Sequence, residues 1–237
     1  MLTIIIPVYN EVKTIGIIIK KIMKIKNLKK KLIIVDDKST DGTTEYLKKK
    51  QFNNKKIFKI IFHKKNIGKG AAIQTAQRYA NEKYTIIQDA DLEYDPRDYS
   101  KIINILIKKK SKVVYGSRVL GINRYLESKS TSVIRIFANH ALTVFSNLIN
   151  KQKLTDAHTC YKAFETKFFK KIKLEENGFN FCPEITTKIS NQNIEIKEIK
   201  IRYYPRSFKQ GKKIKYSDGF KALWTLIKYK YIKNKSL

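Results

Sequence analysis

Cysteine is nearly missing from this chain: Cys160 and Cys182 are the only two in 237 residues. Two thiols supply neither a disulfide framework nor a zinc site of the usual spacing. An apolar run of about 18–20 residues is also missing, so no membrane-spanning helix is expected. Leu2 to Val8 is too short for a secretory signal and reads as a strand, which points to a reducing, cytoplasmic setting. The phosphate loop G-x-x-x-x-G-K-[ST] and the dinucleotide fingerprint G-x-G-x-x-G are both absent, as is any internal repeat. Acids are scarce, 20 Asp and Glu against 51 Lys and Arg, for a net charge of +31. Such a charge invites nucleic acid, a membrane surface or phosphorylated ligands. An AT-rich coding bias is a second source of the same lysines, which form short clusters such as Lys29-Lys31 and Lys108-Lys110 rather than one tail. A basic nucleic-acid-binding protein is the reading from charge alone. No recognisable motif accompanies it, and acids at strand ends would repel phosphate unless a metal were bound.

What is present is an ordinary globular balance, 42% hydrophobic and 11% aromatic, in a chain long enough for a real core. Leu2 to Ile6, Leu32 to Val35, Ile57 to Phe62, Tyr84 to Ile87 and Lys112 to Tyr115 read as strands. Helical spacing falls between them, over Thr14 to Ile25, from Asp41-Gly42-Thr43 through Leu47, and over Ala71 to Ala80 and Arg97 to Lys109. Alternation at this spacing predicts an α/β fold with a doubly wound, mostly parallel sheet and helices on both faces. After Gly116 the pattern changes. Ser117 to Ser132 is polar and irregular, and Val133 to Ile149 is apolar but interrupted. That segment either lies in a membrane interface or covers the sheet. Then come a loop and strand over Thr155 to Glu165, a helix over Pro183 to Ser190, an edge strand over Ile194 to Ile201 and a basic loop over Tyr204 to Tyr216. A final helix, Ser217 to Lys230, carries Phe220, Leu223, Trp224 and Ile227 on one face. One domain over 1–237 is expected, with a division near residue 120.

Polar groups gather where strands end. Tyr9-Asn10-Glu11 follows the first strand, Asp36-Asp37 the second, and Gln88 to Glu93 the fourth. In a parallel sheet these ends share one rim, where open α/β sheets bind ligands. Asp89 and Asp91 can offer oxygens to one hard divalent cation, which could grip a diphosphate. Asp95-Pro96 reads as a helix cap and first turn. Gly68-Lys69-Gly70 opens a helix, either to face an anion or to let the helix pack closely on the sheet. His158 reads as a hydrogen-bonded structural residue, and Cys160 as packing rather than nucleophile.

IIIPVYNE, VDDKSTDGT, NIGKGAAI and QDADLEYDP, in this order, resemble the nucleotide-sugar half of the family 2 glycosyltransferases, which have the GT-A fold. TDAHTCYKAF, GFNFCPEITTKI and IRYYPRSFKQGKKIKYSDG resemble the branch that includes dolichyl- and polyprenyl-phosphate mannosyltransferases and glucosyltransferases. The resemblance implies a nucleotide-sugar half over 1–120 and an acceptor-side half over 121–237. It implies that Pro7, Tyr9 and Glu11 border the nucleoside, that Asp36 or Asp37 holds base or ribose, and that Lys69, Asp89, Ala90 and Asp91 meet the donor. It implies Mg2+ or Mn2+ on Asp89 and Asp91. Glu93 stands where some relatives have Gln, facing either metal or water. Arg118, Arg206 and Lys212 or Lys213 would meet the phosphates.

The reaction implied is inverting transfer of a hexose, such as mannose or glucose, from a UDP- or GDP-sugar to a polyprenyl phosphate, at the inner face of an anionic membrane. A phosphate acceptor is already anionic and needs no strong base. A sugar-hydroxyl acceptor, the alternative, would need one. The Glu-Asp pair and Gln-x-x-Arg-Trp motif usual in hydroxyl-using relatives are missing. Asp156 and Glu184 are the candidate bases, with structural roles open for both. No protein partner is readable.

Overall fold

A computed structural model describes residues 1–49, 56–122, 133–206 and 217–232. Seven strands form one sheet: β1 (Leu2–Val8), β2 (Lys30–Asp36), β3 (Phe58–Phe62), β4 (Tyr84–Ile87), β5 (Val113–Ser117), β6 (Lys162–Glu165) and β7 (Lys197–Lys200), in the order β3-β2-β1-β4-β6-β5-β7. Strands β3, β2, β1 and β4 run parallel, and β5 runs parallel to β7. Only β6 is reversed, antiparallel to both β4 and β5. The mostly parallel sheet expected from alternation is therefore present. One strand of the second half of the chain is inserted between two strands of the first.

Every residue of β1 is buried, as a strand covered on both faces requires. Ile4, Ile6 and Val8 enter one core, together with Ile15, Ile18 and Ile22 of α1 (Ile15–Met23) and Ile102 and Leu106 of α4 (Tyr99–Lys108). Ile5 points to the other core, with Ile73 of α3 (Lys69–Gln77), Phe169 of α6 (Thr166–Lys171), and Ile185 and Ile189 of α7 (Phe181–Ser190). This is the period-2 alternation of a strand, read out as two hydrophobic layers. The remaining helices are α2 (Thr43–Lys49), α5 (Val133–Asn150) and α8 (Ser217–Ile227).

The first strand continues through Pro7, where sequence reading ends it. β4 stops opposite Ile5, so no strand lies beside Pro7 on that side to want its missing N–H. Asp95 does cap, its Oδ1 accepting from Arg97 N at 2.9 Å, but over a 3₁₀ turn, Pro96–Asp98, that precedes α4. Helix α6 has no counterpart in the sequence reading, because six residues are too few to show a helical period.

The glycine pair at the start of α3 serves close packing, and its partner is a loop rather than the sheet. Gly68 has φ +115 and donates N–H to Asp37. A Cβ on Gly70 would lie 2.0 Å from Glu176 O and 2.9 Å from Asn177 C, both backbone atoms. Ala71 N donates to Asn177 O at 3.0 Å. Gly70→Ala is therefore expected to destabilise the fold by about 1–3 kcal/mol, the usual cost of overpacking. The urea midpoint reads this directly, and an unchanged midpoint would show that the 176–177 backbone yields freely.

Candidate active site

The chain winds outward from β1 through β2 to β3, then returns to the other side of β1 as β4. Strand order thus reverses between β1 and β4, and a crevice opens beyond their carboxyl ends. A cavity of about 510 Å³ lies there. Pro7, Tyr9 and Glu11 line it after β1, Asp37 after β2, and Lys69 from α3. Asp89, Ala90, Asp91 and Glu93 line it after β4. Arg118, next to β5, and Arg206 complete the set of expected residues that meet in one space.

The two aspartates after β2 separate. Asp36 turns into the β2–α2 loop, where its carboxylate accepts from Ser39 N at 3.2 Å and from the Ser39 and Thr44 hydroxyls. It does not line the cavity. Asp37 does, and its oxygens accept from Ile67 N at 3.0 Å and Gly68 N at 2.7 Å.

The β4 acids are held by cations from far along the chain. Asp89 pairs with Lys69. Burial works against the Lys69 charge, but Asp89 outweighs it and raises the pKa. Asp91 Oδ2 accepts from Arg206 at 2.9 Å, and Oδ1 accepts from Glu93 N at 3.1 Å. Leu92, between them, has φ 67, a left-handed turn that folds Glu93 N–H back onto Asp91. Glu93 accepts from Tyr203 Oη at 3.0 Å and from Arg206 N at 2.7 Å. Arg206 also reaches both Glu11 oxygens at 3.2 Å. Burial, then the neighbouring Asp89 and Glu93, push the Asp91 carboxyl up to about 7 despite Arg206 and Lys69. The rim therefore concentrates more negative charge than its own cations neutralise.

Arg118 and Asp156 form a bidentate pair, Nε to Oδ2 at 2.6 Å and a terminal nitrogen to Oδ1 at 2.8 Å, and Arg118 N donates to the same carboxylate at 3.1 Å. Burial alone would raise the Asp156 pKa, but Arg118 wins and holds it below the usual carboxylate value. Glu184 lies outside the cavity wall and is fully buried. It accepts from Glu175 N at 2.7 Å, Glu176 N at 3.0 Å and Lys188 Nζ at 2.8 Å. Both candidate bases are thus committed to partners. Lys212 and Lys213 lie outside the described residues.

The model for glycosyl transferase family 2 matches residues 3–173. The chain belongs to this family. Among similar proteins are UDP-N-acetylglucosamine–dolichyl-phosphate N-acetylglucosaminyltransferase of Methanococcus voltae, 26% identical over 97% of this chain and 96% of its own length. Another is dolichyl-phosphate beta-glucosyltransferase of Saccharomyces cerevisiae, 29% identical over 86% of this chain and 66% of its own length. The structure of glucosyl-3-phosphoglycerate synthase from Mycobacterium tuberculosis, in complex with Mn2+ and uridine-diphosphate-glucose, superposes with a TM-score of 0.71 over 97% of this chain and 79% of that one. At 13% identity the likeness is one of fold, and the fold is GT-A-like.

The donor atoms of this glycosyltransferase suit a hard divalent ion. Asp89 and Asp91 offer carboxylate oxygens at one strand end, in a patch short of positive charge. Among the described residues no three His, Cys, Asp or Glu side chains converge as a full metal cage. Glu93, left open between metal and water, accepts from Tyr203 Oη and from Arg206 N. An ion on the two aspartates would draw its other ligands from phosphate and water.

Other wall residues of the glycosyltransferase escaped the sequence reading. Tyr94 stacks on Tyr161 with ring centroids 5.1 Å apart, and Arg118 lies over the Tyr203 ring at 5.3 Å. Their signal was local, Tyr94 inside the acidic motif and Tyr203 beside the basic loop. Cys160, Cys182 and His158 also line the cavity. Ala138, Asn139 and Leu142 of α5 and Asp218, Gly219 and Ala222 of α8 line the cavity too.

Proposed function

We propose that this glycosyltransferase moves a hexose, with inversion, from a UDP- or GDP-sugar to a polyprenyl phosphate while seated on a membrane surface. One observation carries the reading. The cavity that holds the acidic rim is also lined by α5 and α8, and both helices carry large apolar side chains that are exposed. Phe137 and Leu148 of α5 are 65% and 74% exposed, and Phe220 and Trp224 of α8 are 78% and 58% exposed. Lys221 is exposed on α8 as well. Exposed apolar side chains with a lysine among them suit an anionic bilayer, and a lipid tail leaving the cavity between these helices would enter one. No helix among the described residues is long and apolar enough to span a membrane. The names of the relatives, acting on dolichyl phosphate, agree in acceptor class.

The roles follow from position. Tyr9 and Asp37 border the nucleoside end. Asp91, with Asp89, would hold Mg2+ or Mn2+, which supplies neutralisation of the charge developing on the departing diphosphate. Arg206 and Lys69 add fixed positive charge at the same oxygens. Arg118, oriented by Asp156, meets the acceptor phosphate and holds it in line. With an anionic nucleophile no proton needs removing, which suits a site whose candidate bases are both tied up. Glu184 acts as a positioning residue, pinning the 175–176 backbone that packs on α3.

Incubation with UDP- and GDP-sugars, Mn2+ and either polyprenyl phosphate in vesicles or an oligosaccharide tests the reading. Transfer to the lipid phosphate is expected, and a product formed only on the oligosaccharide would overturn the acceptor. Trp224→Asp is expected to weaken flotation with anionic vesicles at least 10-fold, since burying one large apolar side chain is worth about 1.5–3 kcal/mol. Donor hydrolysis in detergent should persist in that variant. Equal vesicle binding would place the membrane contact elsewhere.

A further inference from the structure

The chain from Ile201 to Arg206 crosses the acidic motif after β4, and Glu93 of that motif takes hold of it at three places. Glu93 O accepts from Tyr204 N at 2.9 Å, Oε2 accepts from Tyr203 Oη at 3.0 Å, and Oε1 accepts from Arg206 N at 2.7 Å. Tyr203 also faces Tyr94 in an antiparallel bridge. Just upstream, Asp98 accepts from Arg202 N at 2.7 Å and from the Arg202 guanidinium at 2.9 Å. Glu93 is 9% exposed, so its bonds are made largely away from water, where a carboxylate holds its donors firmly.

The residue delivered by this grip is Arg206. Its guanidinium donates to Asp91 Oδ2 at 2.9 Å and reaches both Glu11 oxygens at 3.2 Å. An arginine side chain has many rotamers, so its charge sits at one point only when the backbone beneath it is fixed. The Arg206 Nε–H is buried and has no partner, and the residue lines the cavity. A buried donor left open there suits an oxygen of an incoming phosphate. The arginine is therefore set before a ligand arrives, which is how fixed charge serves a transition state.

The bonds of Glu93 do not suit a metal ligand. Both of its carboxylate oxygens hold protein donors, and its own N–H donates to Asp91 Oδ1 at 3.1 Å. To ligate an ion it would have to release Tyr203 and Arg206.

We propose that Glu93 is a positioning residue, which holds the 203–206 backbone so that Arg206 meets the diphosphate of the donor. This rests on the nucleotide-sugar reading above. Glu93 acts through Arg206 and does not itself touch the substrate or the ion.

The test uses the full chain, Mn2+ and UDP-glucose or whichever UDP- or GDP-hexose turns over. Donor hydrolysis is followed without acceptor. Glu93→Ala is expected to lower kcat/KM about 10- to 100-fold, the usual cost of misplacing a group in the site. Glu93→Gln can still accept from Arg206 N and can donate to Tyr203 Oη, so it should keep most of the wild-type value. With Arg206→Ala already present, adding Glu93→Ala should cost no more than about 2-fold, because the group it acts through is gone. Mn2+ binding without nucleotide, read by electron paramagnetic resonance, separates positioning from ligation. Alanine and glutamine remove the same charge, and the alanine variant should bind Mn2+ at least as tightly as the glutamine variant. Binding about 10-fold weaker in the alanine variant would make Glu93 a ligand and overturn the proposal. Undiminished turnover in Glu93→Ala, an equal loss in Glu93→Gln, or a full-size effect beside Arg206→Ala also overturns it. If Glu93→Ala does not fold, Glu93→Asp replaces it, keeping the charge but falling a methylene short of Tyr203 and Arg206. That variant should lose turnover and keep wild-type Mn2+ affinity, and wild-type turnover in it overturns the proposal. Failure of the wild type to bind any nucleotide sugar would sink the underlying reading, and the proposal with it.

Discussion

Asp91→Asn lowers turnover about 10³-fold, equivalent to about 4 kcal/mol of transition-state stabilisation, and leaves the melting temperature unchanged or slightly raised. The two halves of this expectation have one cause. Asp91 is buried beside Asp89 and Glu93, and its carboxyl is pushed up to about 7. The folded protein therefore gains little from that charge and is relieved by losing it. Catalysis needs it, because an amide holds a divalent ion far more weakly than a carboxylate does. The amide keeps the shape and can still accept from Arg206, so packing is preserved. Turnover of the nucleotide sugar with Mn2+ and polyprenyl phosphate, run beside a thermal melt, reads both quantities. Retained turnover with an ordinary metal requirement would remove Asp91 from the proposed metal site.

Asp156→Ala acts through the opposite balance. The carboxylate is bound at both oxygens by Arg118, whose side chain is only 19% exposed. Removing it strands a buried guanidinium, a loss of about 3–5 kcal/mol and a drop in Tm of roughly 10 °C. Turnover should fall as well, since Arg118 loses its orientation. The same pair sets an acid limit. The Asp156 pKa in the folded state lies below its unfolded value of about 3.9, so the folded state binds this proton less readily. The stability this contributes is full above the unfolded value and disappears as pH falls through the folded one. Chemical denaturation at pH 7 and pH 3 should show the wild type approaching the variant at the lower pH. A constant gap between the two would mean that charge is not what Asp156 contributes.

Much of this was readable beforehand because it is local. Continuous apolar runs such as Leu2 to Ile6 mark buried strands, and acids after them mark a rim. What was not readable depends on contacts between distant residues. Nothing near Gly70 indicates that Glu176 will lie against it. Nothing near Glu184 separates a base from a clamp until the 175–176 backbone folds onto it. Asp36 and Asp37 are adjacent and chemically identical, and the direction of one strand's last side chain decides which meets the cavity. Periodicity places Phe220 and Trp224 on one helical face, but the packing of Leu226 and Tyr229 inward is what leaves that face bare.

The insertion of β6 between β4 and β5 bears on how the enzyme is made. β1 through β4 pair with one another and use only the first 87 residues. β5 pairs with β6 and β7, both of which come later in the chain. During synthesis the side of the cavity proposed to take the nucleoside has its strands early, whereas β5, and Arg118 next to it, wait for residues 162–200 to emerge. Such long-range closure is slow compared with local pairing. A ribosome-bound or truncated chain would thus acquire the scaffold of the proposed donor side before it has fixed the arginine proposed to hold the acceptor.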